Sequence, residues 1–239
     1  MGEHDVTKHT REIIKIAREP GSLKHKIGDI LLEVAIIVFA ITLSLFVERY
    51  REHQQEVKLE RNFLSNQIDD LKGNIQQLKD DSAGYVVMLR SFDYLKQAYF
   101  GKKLQPDSAL NAVNYLYNSV EFVPSSSRYE ALKASGKLDV IENKQLQIDI
   151  VNFYQQTIPA LLTSTAAFSD FKNKLGDYTD HNLVLKKNSS NIQQLMESPV
   201  FYNLLNKGIF IKYIILRYRI TINQAEKILK EINEEEKKW

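Results

Sequence analysis

Residues Ile30 to Val47 read ILLEVAIIVFAITLSLFV, and this block constrains the chain more than any other feature. Thirteen of its eighteen residues are Ile, Leu, Val or Phe, and from Val34 to Val47 only Thr42 and Ser44 are polar. As an α-helix the block reaches about 27 Å, close to the ~30 Å hydrocarbon core of a bilayer. Its apolar side chains favour insertion by about −4 to −8 kcal/mol as an upper bound. Glu33 opposes this by at most ~3 kcal/mol, and by less one turn from the end of the block. A core helix of a soluble protein keeps a polar stripe at a period of 3.6 residues, and none is visible from Val34 to Val47. A cleaved signal peptide fits poorly. The run is too long and too far from the start, and Glu48-Arg49-Tyr50-Arg51-Glu52 follows it instead of small residues. The expectation is a single transmembrane helix over residues 28–48.

Within that span Glu33 has two readings: an interfacial carboxylate snorkelling to the headgroups, or a polar handle for a neighbouring helix. Asp29 lies four residues earlier on the same face. Both ionised in lipid would repel, so one is protonated or that face meets water or protein.

Charges flanking the span bear on orientation. Six basic residues precede it (Lys8, Arg11, Lys15, Arg18, Lys24, Lys26) and four follow (Arg49, Arg51, Lys58, Arg61). The excess places the N-terminus in the cytoplasm and the C-terminal domain outside, in a periplasm where there is one. Residues 1–27 form a basic segment. Within it Val6–Glu19 reads as a short amphipathic helix ended by Pro20-Gly21, either lying on an anionic membrane surface or serving as a charged tail.

Composition describes the remainder. The chain has 239 residues, 44% of them hydrophobic, with 32 Lys+Arg against 30 Asp+Glu and no cysteine. Disulfide scaffolds, four-Cys zinc sites, iron–sulfur clusters and cysteine nucleophiles are thereby excluded. A net charge of +2 offers no global argument for nucleic-acid binding. The mean hydropathy of −0.33 resembles that of a soluble protein only because it averages the apolar block with a polar-surfaced domain.

Past the span, Val57, Leu64, Leu71 and Leu78 recur every seven residues, with Ile68 and Ile75 at the complementary position. That is the narrow seam of a helix, and no proline interrupts Ile30 to Asp81. The expectation is one long helix leaving the bilayer and packing inside its own domain, with Arg61 on the seam. A second helix is expected over Ser82–Phe100, with Tyr85, Met88, Phe92, Leu95 and Tyr99 on its core face. A third follows from Asp107 to Asn118, burying Leu110, Val113, Leu116 and Tyr117.

The stretch SSSRYEALKASGKLDVIENKQL offers local signals. Ser127 with Glu130 has the spacing of a capping box. Gly136 is placed to end the short helix in a left-handed cap, and Asn143 to start the next one. Ser125, Ser126, Ser127 and Arg128 also make a candidate anion or partner surface at a helix start. A long helical stretch runs from Lys144 to Asp177, kinked or divided by Pro159. A polar connection covers Asp177–Ser190, Ser198-Pro199 starts a helix running towards Gly208, and a terminal helix carries Ile211, Ile214, Ile215, Tyr218, Ile222, Ala225, Leu229 and Ile232. No segment alternates at period 2. The fold class is all-α: a transmembrane helix continuing into a long helix of an antiparallel helical-bundle domain, residues 49–239.

Signs of chemistry are sparse. His4, His9, His25 and His53 precede or flank the span. His181 has Asp177 and Asp180 at helical offsets, two candidate metal ligands without a third, and reads with them as polar residues of a surface loop. No phosphate-binding, dinucleotide, zinc-protease, nucleophile-elbow or calcium-loop motif occurs. No catalytic residue, cofactor or metal is expected.

Three stretches resemble a bacterial family of uncharacterised single-pass membrane proteins, the DUF6090-like family common in Bacteroidetes. KHKIGDILLEVAIIVFAITLSLFVERYRE is similar to the family's membrane segment. RYEALKASGKLDVIENKQLQIDIVNFY is similar to its Y-x-x-L-x-x-S-G-x-L block, and SPVFYNLL precedes a long amphipathic last helix. Val47-Glu48-Arg49-Tyr50-Arg51 departs from the family's Asn-Trp-Asn-Glu. The resemblance implies a membrane-anchored helical domain and carries no activity.

Residues and resemblance together lead to a membrane-anchored, non-enzymatic helical module with a binding, scaffolding or sensing role in the envelope, at the bacterial inner membrane. Its partners would be the bilayer and a protein or a second copy, with no nucleic acid. One alternative is an oligomeric membrane effector or pore using the transmembrane helix through Glu33. Another is an unrecognised hydrolase.

Overall fold

The computed structural model describes residues 23–118, 120–187 and 189–239. The expected Val6–Glu19 helix lies outside these. The chain divides into two units, residues 1–59 and a compact unit from Glu60 to Trp239. Residues 49–59 thus fall in the N-terminal unit.

Helix α1 spans Leu23–Lys96 without interruption. In the N-terminal unit its large apolar side chains from Leu31 to Val47 stand 45–68% exposed, except the half-buried Ile37, and none of the apolar window is buried by the protein. It is the one helix among the described residues long and apolar enough to cross a membrane.

The compact unit is an all-helical bundle. After α1 come a 3-10 turn (Gln97–Phe100), α2 (Pro106–Tyr117), α3 (Ser127–Ala134), a second 3-10 turn (Leu138–Val140) and α4 (Lys144–Asn152). A π-helical turn (Phe153–Thr157) leads into α5 (Ile158–Asn182), and a two-residue hairpin pairs Leu185–Lys186 with Ser189–Ser190. Helices α6 (Ile192–Met196), α7 (Pro199–Lys207) and α8 (Phe210–Glu236) complete it. Contacts along α1 define an up-down-up-down path. Residues 105, 121, 125 and 142 bond α1 at 94, 77, 74 and 60, so that segment descends. Tyr154 and Phe168 then meet α1 at Gln67 and Tyr85 on the way up. α8 descends, with Tyr218 beside Tyr85, Glu226 bonded to Lys79 at 2.7 Å, and Trp239 over Arg61.

Several expectations are corrected. α1 does not stop at Asp81. Ser82 and Gly84 weaken a helix by about 1 kcal/mol at most, and the buried side continues through Tyr85, Met88, Phe92 and Leu95. Arg61 is off the seam: Glu60 is buried, while Arg61 is exposed with its guanidinium 5.4 Å from the Trp239 ring. Tyr117 is exposed, and α2 buries Ala109, Ala112, Val113 and Leu116. Ser127 is not a cap; Ser126 holds that position without a side-chain bond. Ser198-Pro199 does start its helix as expected, with Ser198 at the cap position but without a side-chain bond. α5 continues to Asn182, five residues past Asp177.

Pro159 is absorbed by the π turn immediately before it, which accommodates the lost N–H. Gly136 takes φ +70°, letting Gly136 N and Lys137 N bond back to Lys133 O and Leu132 O. Asn143 caps α4 by accepting from the N–H groups of Gln145 and Leu146. Gly208 has ordinary helical geometry but sits against Phe92, where a Cβ would approach the ring to 2.5 Å.

Candidate functional site along the long helix

On α1 one line of buried positions runs 60, 64, 67, 71, 74, 78, with 85, 88, 92 and 95 continuing the same 4–3 alternation, and Phe63, Ile68 and Ile75 are buried beside it. One heptad position is Leu64, Leu71 and Leu78. The other is Glu60, Gln67, Asn74 and Asp81, a polar ladder inside the bundle. Gln67 and Asn74 are 0% and 1% exposed. A buried polar group costs about 1–3 kcal/mol if unpaired; Glu60, Gln67 and Asn74 each hydrogen-bond a different partner, while Gln67 Oε1 and Asp81 Oδ2 have none among the described residues.

Glu60 accepts from the Glu142 N–H at 2.8 Å. Burial raises its pKa; that hydrogen bond opposes, and the carboxylates of Glu142 and Glu235 add to the rise. Gln67 donates to the Tyr154 hydroxyl at 2.6 Å, and Tyr154 donates to Ser125 O at 3.2 Å. The Tyr154 ring stacks on Tyr129 at 4.5 Å, and Gln155 donates to the Tyr129 hydroxyl. Burial pushes the Tyr154 phenol up. Asn74 grips the Ser125 backbone in both directions, accepting from its N–H at 2.7 Å and donating to its carbonyl at 3.2 Å.

Asp81 is half-buried and faces Tyr218, whose ring lies 5.4 Å from that of Tyr85. Among the described residues, Asp81 Oδ2 and the Tyr218 hydroxyl are both buried without a well-formed hydrogen bond. Burial, then the neighbouring Asp80, raises Asp81; burial pushes Tyr85 up to about 12 and Tyr218 higher still. The two phenols hold their protons at neutral pH.

The ladder fixes the axial and rotational setting of α1. A slip of one residue moves a side chain about 1.5 Å and 100°, which would break every rung. Polar groups at buried heptad positions act this way in coiled coils, specifying register at the expense of stability.

The Ser/Arg cluster is part of this arrangement. Ser125 is held through its backbone, Ser126 precedes α3, and Ser127 is its first residue. Arg128 turns onto α1, pairing with Asp70 at 2.5 Å and donating to Asn66 O at 3.1 Å. Its charge is thereby partnered within the domain. Asp29 and Glu33 are four residues apart on α1 in the N-terminal unit, with Asp29 exposed and Glu33 half-buried. His181 lies in the last turn of α5, its Nδ1 2.6 Å from Asp177 O, and Asp180 accepts from the Tyr117 hydroxyl. No group of three metal-ligating side chains occurs among the described residues.

Two further polar features were not legible beforehand. Asp149 pairs with Lys227 at 2.7 Å beside Glu231. Burial opposes ionisation of Asp149, but bonds from Gln145 and Lys227 outweigh it and lower its pKa, while burial and Asp149 raise Glu231. Lys172 is buried without an ion-pair partner among the described residues, in a cleft of about 220 Å³ with Tyr117 and Asp180, and desolvation lowers its pKa.

The Glu60/Gln67/Asn74/Asp81 ladder has a sequence signal, a strict seven-residue repeat. It is hidden because the adjacent Ile68 and Ile75 attract the pattern instead. No family model matches the chain, and no curated protein or solved structure matches it.

Proposed function

We propose that the chain is a membrane-anchored helical module of the bacterial cell envelope with a binding, scaffolding or sensing role rather than an enzymatic one. The carrying observation is the continuity of α1: one helix contains the apolar segment and, further on, the buried polar ladder. A helix so registered transmits displacement or force without slipping through its own bundle. The resemblance of the 24–52 and 128–154 stretches to single-pass bacterial membrane proteins supports the envelope setting. The excess of basic residues ahead of the span supports a cytoplasmic N-terminus and an external, periplasmic domain.

Protease accessibility in intact spheroplasts tests this placement. The expected outcome is digestion of the Glu60–Trp239 unit without lysis. Digestion only after lysis would put the domain in the cytoplasm and replace its available partners.

A further inference from the structure

The N-terminal half of α8 carries an apolar stripe on the side facing away from the core. Ile209, Tyr213, Leu216 and Ile220 follow one another at spacings of 4, 3 and 4 residues, each 45–63% exposed, with Phe210 beside them. The inward stripe of the same helix is separate: Ile211, Ile214, Tyr218, Thr221 and Ala225. The outward stripe ends at Ile220, because the next outward residues are Asn223, Lys227 and Lys230. Over about three turns, therefore, this helix is apolar on both sides, whereas a surface helix normally presents charge outwards. Alongside the stripe, between α5 and α8, runs an apolar groove of about 480 Å³ floored by Phe168, Phe171, Phe210 and Tyr213.

The charge around it has one sign. From Ser198 to Ala225 there are four cations, Lys207, Lys212, Arg217 and Arg219, and no carboxylate. None of the four forms an ion pair among the described residues. Asp170 of α5 lines a different cleft, with Val120 to Pro124.

Resting on the binding role proposed above, we propose that this stripe and groove dock an amphipathic α-helix of a partner protein whose apolar seam is flanked by Asp and Glu. The 4–3–4 spacing is that of a helix seam, and the groove accepts projecting side chains. Unpaired cations on the rim call for carboxylates opposite them. A second copy of this chain would bring Lys212, Arg217 and Arg219 against like charges. A bilayer surface is flat and makes no use of the groove.

The test uses the full chain in phosphatidylcholine nanodiscs and two fluorescent synthetic helices of about four turns. Both carry the same Leu seam, one flanked by Glu and the other by Lys. Fluorescence anisotropy should show saturable binding of the Glu-flanked helix, at least about tenfold tighter than the Lys-flanked one, a difference of about 1.4 kcal/mol. Leu216→Glu should weaken it by at least about tenfold. Arg217→Glu with Arg219→Glu should remove the preference for the acidic helix. Circular dichroism of these exposed-site variants should match the parent. Equal binding of the two helices, or binding of neither, overturns the proposal. So does a stripe whose substitution changes only sedimentation, which indicates a second copy, or only co-flotation with phosphatidylglycerol vesicles, which indicates lipid. Failure of the helix to bind alongside digestion of the domain in intact spheroplasts would reject this surface and leave the anchored-module reading standing.

Discussion

The two parts of α1 bury and expose side chains in opposite senses. From Leu31 to Val47, Leu, Ile, Val and Phe point outwards on every side. From Glu60 to Asp81, a carboxylate, two amides and a second carboxylate point inwards at seven-residue intervals. The helix is continuous through both, so backbone propensity does not distinguish them. What differs is the partner each needs. An all-round apolar surface is satisfied by lipid without register. A buried amide is satisfied only by a particular donor or acceptor at hydrogen-bond distance. The first part is therefore tolerant of sliding and rotation, and the second is not.

Four substitutions challenge that contrast. The largest effect is expected from Leu71→Ala, which empties a site with no exposure. It should lower bundle stability by about 2–5 kcal/mol. Phe39→Ala, in the apolar segment, should leave bundle stability within about 0.5 kcal/mol. Denaturant unfolding of the full chain, read through the single tryptophan, Trp239, beside Arg61, compares the two. Equal losses would erase the distinction between the parts.

Asn74→Leu should cost about 1–3 kcal/mol, because the Ser125 N–H loses its acceptor. Leucine has the same branched shape and is more apolar, so an unchanged or raised stability would show that the bonds to Ser125 do not stabilise the bundle. The same unfolding measurement decides it.

Among the bundle positions, Asp81→Asn is expected to have the smallest effect, with the opposite sign. The folded-state pKa of Asp81 is raised, so the folded chain binds this proton more readily than the unfolded one. The associated stability is fully present below the unfolded carboxylate value and is lost as pH rises through the folded value. Asn keeps the polarity and removes the titration. The unfolding midpoint of the variant should exceed that of the parent at pH 7 and converge with it towards pH 4. A difference that stays constant with pH would show that Asp81 does not titrate differently on folding.

Residue patterns disclosed much of the architecture. The apolar block, the helical periodicities and the Pro/Gly punctuation led to an all-α bundle with one long apolar helix. Gly136 and Asn143 cap as their local chemistry required, since a cap depends on only a few neighbouring residues. Ser127 did not, since Ser126 takes the cap position, and Ser198 holds its cap position before Pro199 without a side-chain bond. The seam of α1 was legible in Leu64, Ile68, Leu71, Ile75 and Leu78, all buried, but Arg61 was set on it and Glu60, Gln67 and Asn74 were left off. A helix surrounded on several sides buries more than two heptad positions. Hydrophobicity alone then assigns the polar ones to solvent.

The sequence by itself determined that residues 30–47 need an apolar environment and that the rest folds as helices around one another. Both follow from side-chain composition and from periods of a few residues. Only the tertiary structure decided that Gln67 meets Tyr154, that Asn74 holds Ser125, and that Arg128 turns inwards to Asp70. It also decided that α8 keeps a second apolar face uncovered. These pairings join residues 51 to 87 positions apart, and such separations leave no periodic trace. They are settled by which helices come to lie side by side and by the requirement that buried polar atoms find partners there.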